Sequence, residues 1–310
     1  MTTDASSPLV SVVMAVWNGE PYLADAIDST LSQTYRHLEL VVVDDGSEDG
    51  SRRIIDAYAA LDPRVRPIHA PHRGLVASLN EGCAAARGAY IARLDADDVA
   101  LPQRVEQQVR HLARHPDVAM AGTAFQYITT TGQRTPSIVY PPCDNNSIRQ
   151  RLRHANCFCH STVMMRADAF ARVGGYRALC TEAQDYDLWM RMADAHALAN
   201  IPAVLVLYRI HAGQVSLQRI ERQALVAVAV RAATEIRRRG GTDPLSQWTA
   251  IDRERVLRLG VTEAEIDAQI VAAYLNCLSA LPQLGLGKAA VQALRDVVTH
   301  QSLLAQLERL

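Results

Sequence analysis

Apolar positions in the first hundred residues form short runs alternating with helical stretches. Leu9 to Val16 (LVSVVMAV) is a β-branched run after a proline, the pattern of a strand covered on both faces. Asn18-Gly19 breaks it, and Leu23, Ala26, Ile27 and Leu31 then recur at helical spacing between Glu20 and Gln33. A second strand, Leu38 to Val43, stops at Asp44-Asp45-Gly46-Ser47, and a helix over Ile54 to Leu61 follows. Val65 to His69 is a third strand, Leu75 to Ala86 a helix, and Tyr90 to Leu94 a fourth strand stopping at Asp95-Ala96-Asp97-Asp98. Strand and helix alternating in steps of this length predict crossover connections and a mostly parallel sheet.

Beyond Pro102 the pattern predicts a helix to about His115 and a strand from Val118 to about Phe125. Pro136, Pro141 and Pro142 interrupt residues 130 to 160, where loops, one edge strand and one short helix are expected. Ser161 to Arg166, a helix over Gln184 to Ala195 and a strand over Ala203 to Arg209 complete the α/β part. From Val215 onward the texture becomes Ala/Leu/Arg/Gln-rich, with helical spacing over 216 to 239, 263 to 281 and 288 to 309. The expected organisation is an α/β domain over 1–213, halved near residue 100, and an all-helical region over 214–310. In the tail, Leu225, Val226, Val228 and Val230, and the stripe Val291, Leu294, Val298, Leu304 and Leu307, exceed what one docked helix needs. Either these helices pack on one another and on the α/β domain, or part of the surface forms a homodimer interface or covers a substrate.

Composition narrows the function classes. The chain has 310 residues, 49% hydrophobic and 21% charged, with 32 basic against 33 acidic residues. A net charge of -1 and 5% aromatic content give neither an electrostatic footprint nor a stacking platform for nucleic acid. No run reaches the ~18 apolar residues of a membrane span. Met1 to Pro8 is polar and carries Asp4, unlike a signal peptide, and six scattered cysteines have no disulfide rhythm. The cytoplasm is the expected compartment, with at most peripheral association at the inner face of the membrane.

In parallel sheets, ligands sit at the carboxyl ends of the strands. Those ends bring Asp44, Asp45, Asp95, Asp97, Asp98 and Arg73 to one crevice. Each singly matches an Asp turn or helix cap. Jointly the five carboxylates repel one another unless a cation binds them, and carboxylate oxygens favour Mg²⁺ or Mn²⁺, ions that also grip diphosphates. No G-x-G-x-x-G follows the first strand, and Gly285-Leu286-Gly287-Lys288 is too short for a phosphate-binding loop. Cys157-Phe158-Cys159-His160 matches no zinc spacing.

Several ordered motifs strongly resemble family-2 glycosyltransferases of the GT-A fold: Val10 to Gly19, Ser32-Gln33-Thr34-Tyr35, Val42 to Ser47, Arg73-Gly74-Leu75, Leu79-Asn80-Glu81-Gly82 and Ala92 to Asp98. The resemblance continues through His160 to Arg166, Gly174-Gly175-Tyr176, Gln184 to Trp189 and Tyr208-Arg209-Ile210-His211, covering about residues 8 to 216. It implies a Rossmann-like nucleotide-sugar half and an inverting transfer. By resemblance, Asp45 reads the base, with Ala15 and Trp17 lining its pocket. A carboxylate suits the uracil imide N–H, so a UDP-sugar donor is favoured.

Asp95 and Asp97 are then the D-x-D pair, with Asp97 and Asp98 nearest the metal and His211 a further metal contact. Arg73 approaches the diphosphate or sugar. Asp185 is the catalytic base that deprotonates the acceptor hydroxyl. The family often has Glu-Asp where this chain has Gln184-Asp185. Asp187 is expected to be structural or acceptor-facing, and Leu188 and Trp189 core. Histidines 69, 72, 111, 115, 154, 196 and 300 carry no assigned role. The alternatives are a sugar-1-phosphate nucleotidyltransferase, which would want a Gly-rich basic loop after the first strand, and an inactive nucleotide-sugar-binding protein. The acceptor is not legible in the sequence.

Overall fold

The computed structural model describes residues 7–211 and 219–283. β1 (Val10–Val16), β2 (Leu38–Asp45), β3 (Val65–Ala70) and β4 (Tyr90–Arg93) pair in parallel in the order β3-β2-β1-β4, joined through α1 (Leu23–Leu31), α2 (Ser51–Leu61) and α3 (Leu75–Ala85). All eight residues of β2 are buried, so its continuous apolar run reflects cover on both faces.

β5 (Val99–Ala100), α4 (Arg104–Arg114), β6 (Val118–Ile128), β7 (Arg134–Val139), α5 (Asn145–Leu152), β8 (Met164–Arg166), α6 (Ala167–Arg172), α7 (Gln184–Ala195) and β9 (Ala197–Arg209) follow. They extend the sheet as β4-β8-β6-β9-β5, with β7 pairing antiparallel to the later part of β6, off this path. The parallel arrangement therefore holds for the first four strands, while the second half is mixed: β8 runs antiparallel to β4 and β6, and β9 parallel to β6. Hydrophobic periodicity carries no strand direction, and β8 has three residues. β5 and α6 are likewise too short to carry a period. The edge strand and short helix expected between 130 and 160 are β7 and α5.

Alternate residues of the central strands feed two cores. Val13, Val41 and Val43 join one with Leu79, Leu188 and Trp189, while Val12, Met14, Leu40 and Val42 join the other with Leu23 and Ile27. The first core continues into α8 (Ile220–Arg238), α9 (Arg253–Leu257) and α10 (Glu263–Gln283). Leu225, Val226, Val228 and Val230 are buried in α8, which packs against α7, α9 and α10. These four side chains are thus covered within the chain. The stripe over 288–309 and the boundary near Gly213 lie outside the described residues. Among the described residues, no helix is long and apolar enough to cross a membrane.

The β1–β4 seam depends on a bare backbone at Gly88. Its N–H donates to Ser11 Oγ at 2.8 Å, and a Cβ there would stand 2.6 Å from Ser11 N and 2.7 Å from Leu9 O. Gly88→Ala is expected to force β4 off β1 and destabilise the protein by about 1–3 kcal/mol. Urea unfolding should register this as a lower midpoint at unchanged slope.

Candidate active site

The carboxyl ends of β1, β2 and β4 open on one crevice, whose first wall is two interlocked loops. Asn18, in the left-handed region at φ 53°, receives Glu48 N–H on Oδ1 at 2.8 Å and donates its own N–H to Ser47 Oγ at 3.0 Å. Asp45, 2% exposed, receives Arg73 N–H and Gly74 N–H, each at 2.9 Å, and its Oδ2 lies 2.9 Å from His72 Nδ1. Its carboxylate therefore anchors the loop that carries Arg73. Gly74 turns there at φ 90°, open to glycine at little cost. Trp17 is 57% exposed and stacks on His72 with centroids 4.6 Å apart. Ala15 lies half-buried, and the Arg73 guanidinium pairs with Glu81.

The end of β4 sorts its three aspartates into different environments. Asp95 pairs with the buried Arg93 guanidinium, and its Oδ2 receives the Ser161 hydroxyl at 2.7 Å. Burial alone would raise this carboxyl, but Arg93, His160 and Ser161 hold it below the ordinary range. Asp97 Oδ2 lies 2.9 Å from His211 Nε2, joining residues 114 apart in sequence. Asp98 does not join them. It is fully buried, its Oδ1 receives Arg209 N–H at 2.8 Å, and its Oδ2 has no hydrogen-bond partner among the described residues. Ala96-Asp97 form a turn in which Asp98 N–H donates back to the Asp95 carbonyl at 3.3 Å, and the two adjacent aspartates leave it with different partners.

The Asp97–His211 pair is braced from behind. Arg209 donates Nε–H to the Asp97 carbonyl at 2.7 Å, pairs with Asp25 at 2.9 Å and lies over the Tyr22 ring, 4.6 Å from its centroid. The Tyr22 ring in turn lies 5.2 Å from that of His211. Among the described residues, no three His, Cys, Asp or Glu side chains converge as a metal cage.

Asp185 sits in the first turn of α7. Its Oδ1 receives Tyr186 N–H and its Oδ2 receives the Asn156 amide, both at 2.7 Å. Burial, reinforced by the nearby Asp95 charge and opposed by these two hydrogen bonds, pushes its carboxyl up to about 6. Gln184 is buried, and its Oε1 has no partner among the described residues. Asp187 is structural: its Oδ2 pairs with Arg191 at 2.7 Å and its Oδ1 faces Arg177 at 3.4 Å. Leu188 and Trp189 are fully buried, as expected of core. His160 meets the Tyr176 hydroxyl at 2.8 Å, and burial, with Arg93, pushes it down to about 3. Burial pushes the Cys157 thiol up to about 12.

Sequence reasoning missed His72, Arg93, Asn156, Ser161 and Tyr22. Ser161 and Arg93 lie inside quoted motifs and His72 adjoins one, a signal that could have found them. Asn156 lies in an aperiodic loop and carried none.

Residues 11–174 match the profile of Glycosyl transferase family 2, and the chain belongs to that family. EpsE of Bacillus subtilis (strain 168), which carries a glycosyltransferase name, is 40% identical over 190 residues, 60% of this chain and 67% of EpsE. The O-antigen biosynthesis glycosyltransferase WbnJ of Escherichia coli is 33% identical over 209 residues, 66% of this chain and 80% of WbnJ. Among solved structures, the mannosyltransferase PcManGT from Pyrobaculum calidifontis, in complex with GDP-Man and Mn²⁺, is similar in fold, with a TM-score of 0.59 at 21% identity. That match covers 97% of this chain and 80% of PcManGT. S. aureus TarS 1-349 in complex with UDP-GlcNAc gives 0.55 at 16% identity, covering 93% and 82%. The fold is GT-A, and the chain is a glycosyltransferase.

Proposed function

We propose that this glycosyltransferase is metal-dependent and inverting, that its donor is a nucleoside-diphosphate sugar with UDP favoured, and that Asp185 is its general base. The observation that carries the reading is the 2.9 Å convergence of Asp97 and His211 at the mouth of the crevice. Asp97, through a carboxylate oxygen, and His211, through an imidazole nitrogen, would hold a Mn²⁺ or Mg²⁺ ion, both being donor types such ions accept. Such an ion, when bound, offsets the charge on the departing diphosphate. The GDP-Man and Mn²⁺ bound to PcManGT, and the UDP-GlcNAc bound to TarS, support this class of donor.

The protein's own groups then divide the work. Trp17 and the loop held by Asp45 line the base end, with Ala15 below, and Asp95 and Arg73 flank the diphosphate and sugar. Asp185 takes the acceptor hydroxyl's proton as that oxygen attacks the anomeric carbon from the side opposite the diphosphate. One displacement inverts the configuration, and a single base suffices. The names of WbnJ and of the amylovoran biosynthesis glycosyltransferase AmsE of Erwinia amylovora support a growing surface polysaccharide as acceptor. A cytoplasmic location, with at most peripheral contact to the membrane, accords with such an acceptor.

Melting curves with UDP-glucose, UDP-GlcNAc and GDP-mannose, each with and without Mn²⁺, test the donor and ion together. The expected result is stabilisation that needs Mn²⁺ and is greatest for a UDP-sugar. Equal stabilisation with EDTA removes the ion, and a larger shift with GDP-mannose removes the preference for uracil.

The pH dependence follows from Asp185. Its carboxyl is raised to about 6, so the base is ionised above that pH and protonated below it. The kcat/KM is expected to fall about tenfold per pH unit below about 6. A profile flat from about pH 5 to 8 would remove Asp185 from the role.

A further inference from the structure

We propose that Asn156 is a positioning residue for Asp185, its side-chain amide holding one carboxylate oxygen in place so that the acceptor hydroxyl meets a fixed, ionised group. The inference rests on the reading of Asp185 as base. Asn156 Oδ1 receives Phe158 N–H at 3.0 Å, which leaves the Nδ2 end of the amide to face Asp185 Oδ2 at 2.7 Å. The orientation of the amide is therefore set by its own loop, not by the carboxylate it serves. Asp185 Oδ1 is held by Tyr186 N–H at 2.7 Å, from its own helix. A carboxylate bonded only from its own helix can still turn about its terminal torsion, which is broad and roughly two-fold. A second donor from another element removes that freedom. Each oxygen keeps lone-pair capacity for an incoming proton.

The same stretch of chain also holds the donor side. Ser161, five residues on, donates to Asp95 Oδ2 at 2.7 Å. The loop between α5 and β8 thus ties the base to the first aspartate of the D-x-D pair. The ionisable groups around Asp185 are Asp95 at the end of β4, Cys159 in this loop and Tyr176 ahead of α7. Asp95 opposes ionisation of Asp185, and burial keeps Cys159 and Tyr176 protonated. Asn156 favours the ionised form, since a donor aimed at a carboxylate stabilises its charge. Asn156 itself is exposed, so truncating it opens no core cavity.

The test uses the full chain with ¹³C at the aspartate side-chain carboxyls, titrated by NMR, and the Asp185 resonance is identified by its absence from D185N. Its midpoint, about 6 in the parent, is expected to rise by roughly one pH unit in N156A. It should rise further in N156D, where a second carboxylate would stand beside the first. A midpoint unmoved in both variants overturns the inference, whatever the activity of D185N. Turnover surviving in D185N overturns the base reading, and with it the catalytic meaning of the contact, even if the midpoint moves.

Discussion

Asp185→Asn is expected to lower turnover by ~10²- to 10⁴-fold while donor binding survives. The amide keeps the volume of the carboxylate and can still receive Tyr186 N–H on its carbonyl oxygen. What it cannot do is take a proton from the acceptor hydroxyl. Asp185 lies in α7, whereas the Trp17–His72 stack and the Asp97–His211 pair lie elsewhere in the crevice, so nucleotide affinity should persist in calorimetry. Equal loss of nucleotide binding would move Asp185 into the donor site. Retained configuration at the product's anomeric carbon, read by NMR, would replace single displacement by a two-step mechanism.

Asp97→Ala should abolish metal-dependent turnover and leave the protein folded. The substitution strips His211 of the oxygen 2.9 Å away and leaves an ion one protein ligand instead of two. Stability should hold, because Asp97 lies half-buried in a loop and its charge is one of those that oppose ionisation of the buried Asp98. Circular dichroism melts alongside UDP-release assays separate the two effects. Activity at the parent level, indifferent to EDTA, would remove Asp97 and the ion from the mechanism.

Much of the donor half is legible in the chain because its strands are short β-branched runs ended by polar turns. The first strand, read as Leu9 to Val16, forms over Val10–Val16, and the helix read as Gln184 to Ala195 has those ends. Past residue 100 the signal fades for physical reasons. β9 begins six residues before the Ala203 start expected from the sequence because Asn200 and its neighbours pair with β6 across register shifts, a tertiary effect. At the site, residue types mark the crevice without saying which way each side chain points. Asp97 and Asp98 are adjacent and alike, yet one faces His211 and the other the β9 backbone. Asp45 was read by resemblance as a base contact, and its hydrogen bonds to Arg73 and Gly74 depend on how the next loop folds over it. Asn156 gains its partner from a residue 29 positions away.

The pairing of Asp97 with a histidine 114 residues downstream has a consequence for how the enzyme comes into being. Chains emerge from the ribosome N-terminus first, and domains tend to fold in that order. A nascent chain that has extruded β1 to β4 and the turn after them holds Asp95, Asp97 and Asp98, but neither His211 nor Asp185. On the proposed reading, such a chain lacks the base until α7 is made and the second ion contact until His211 follows β9. Under that reading, half-synthesised chains would lack the groups that turn an activated sugar toward its acceptor.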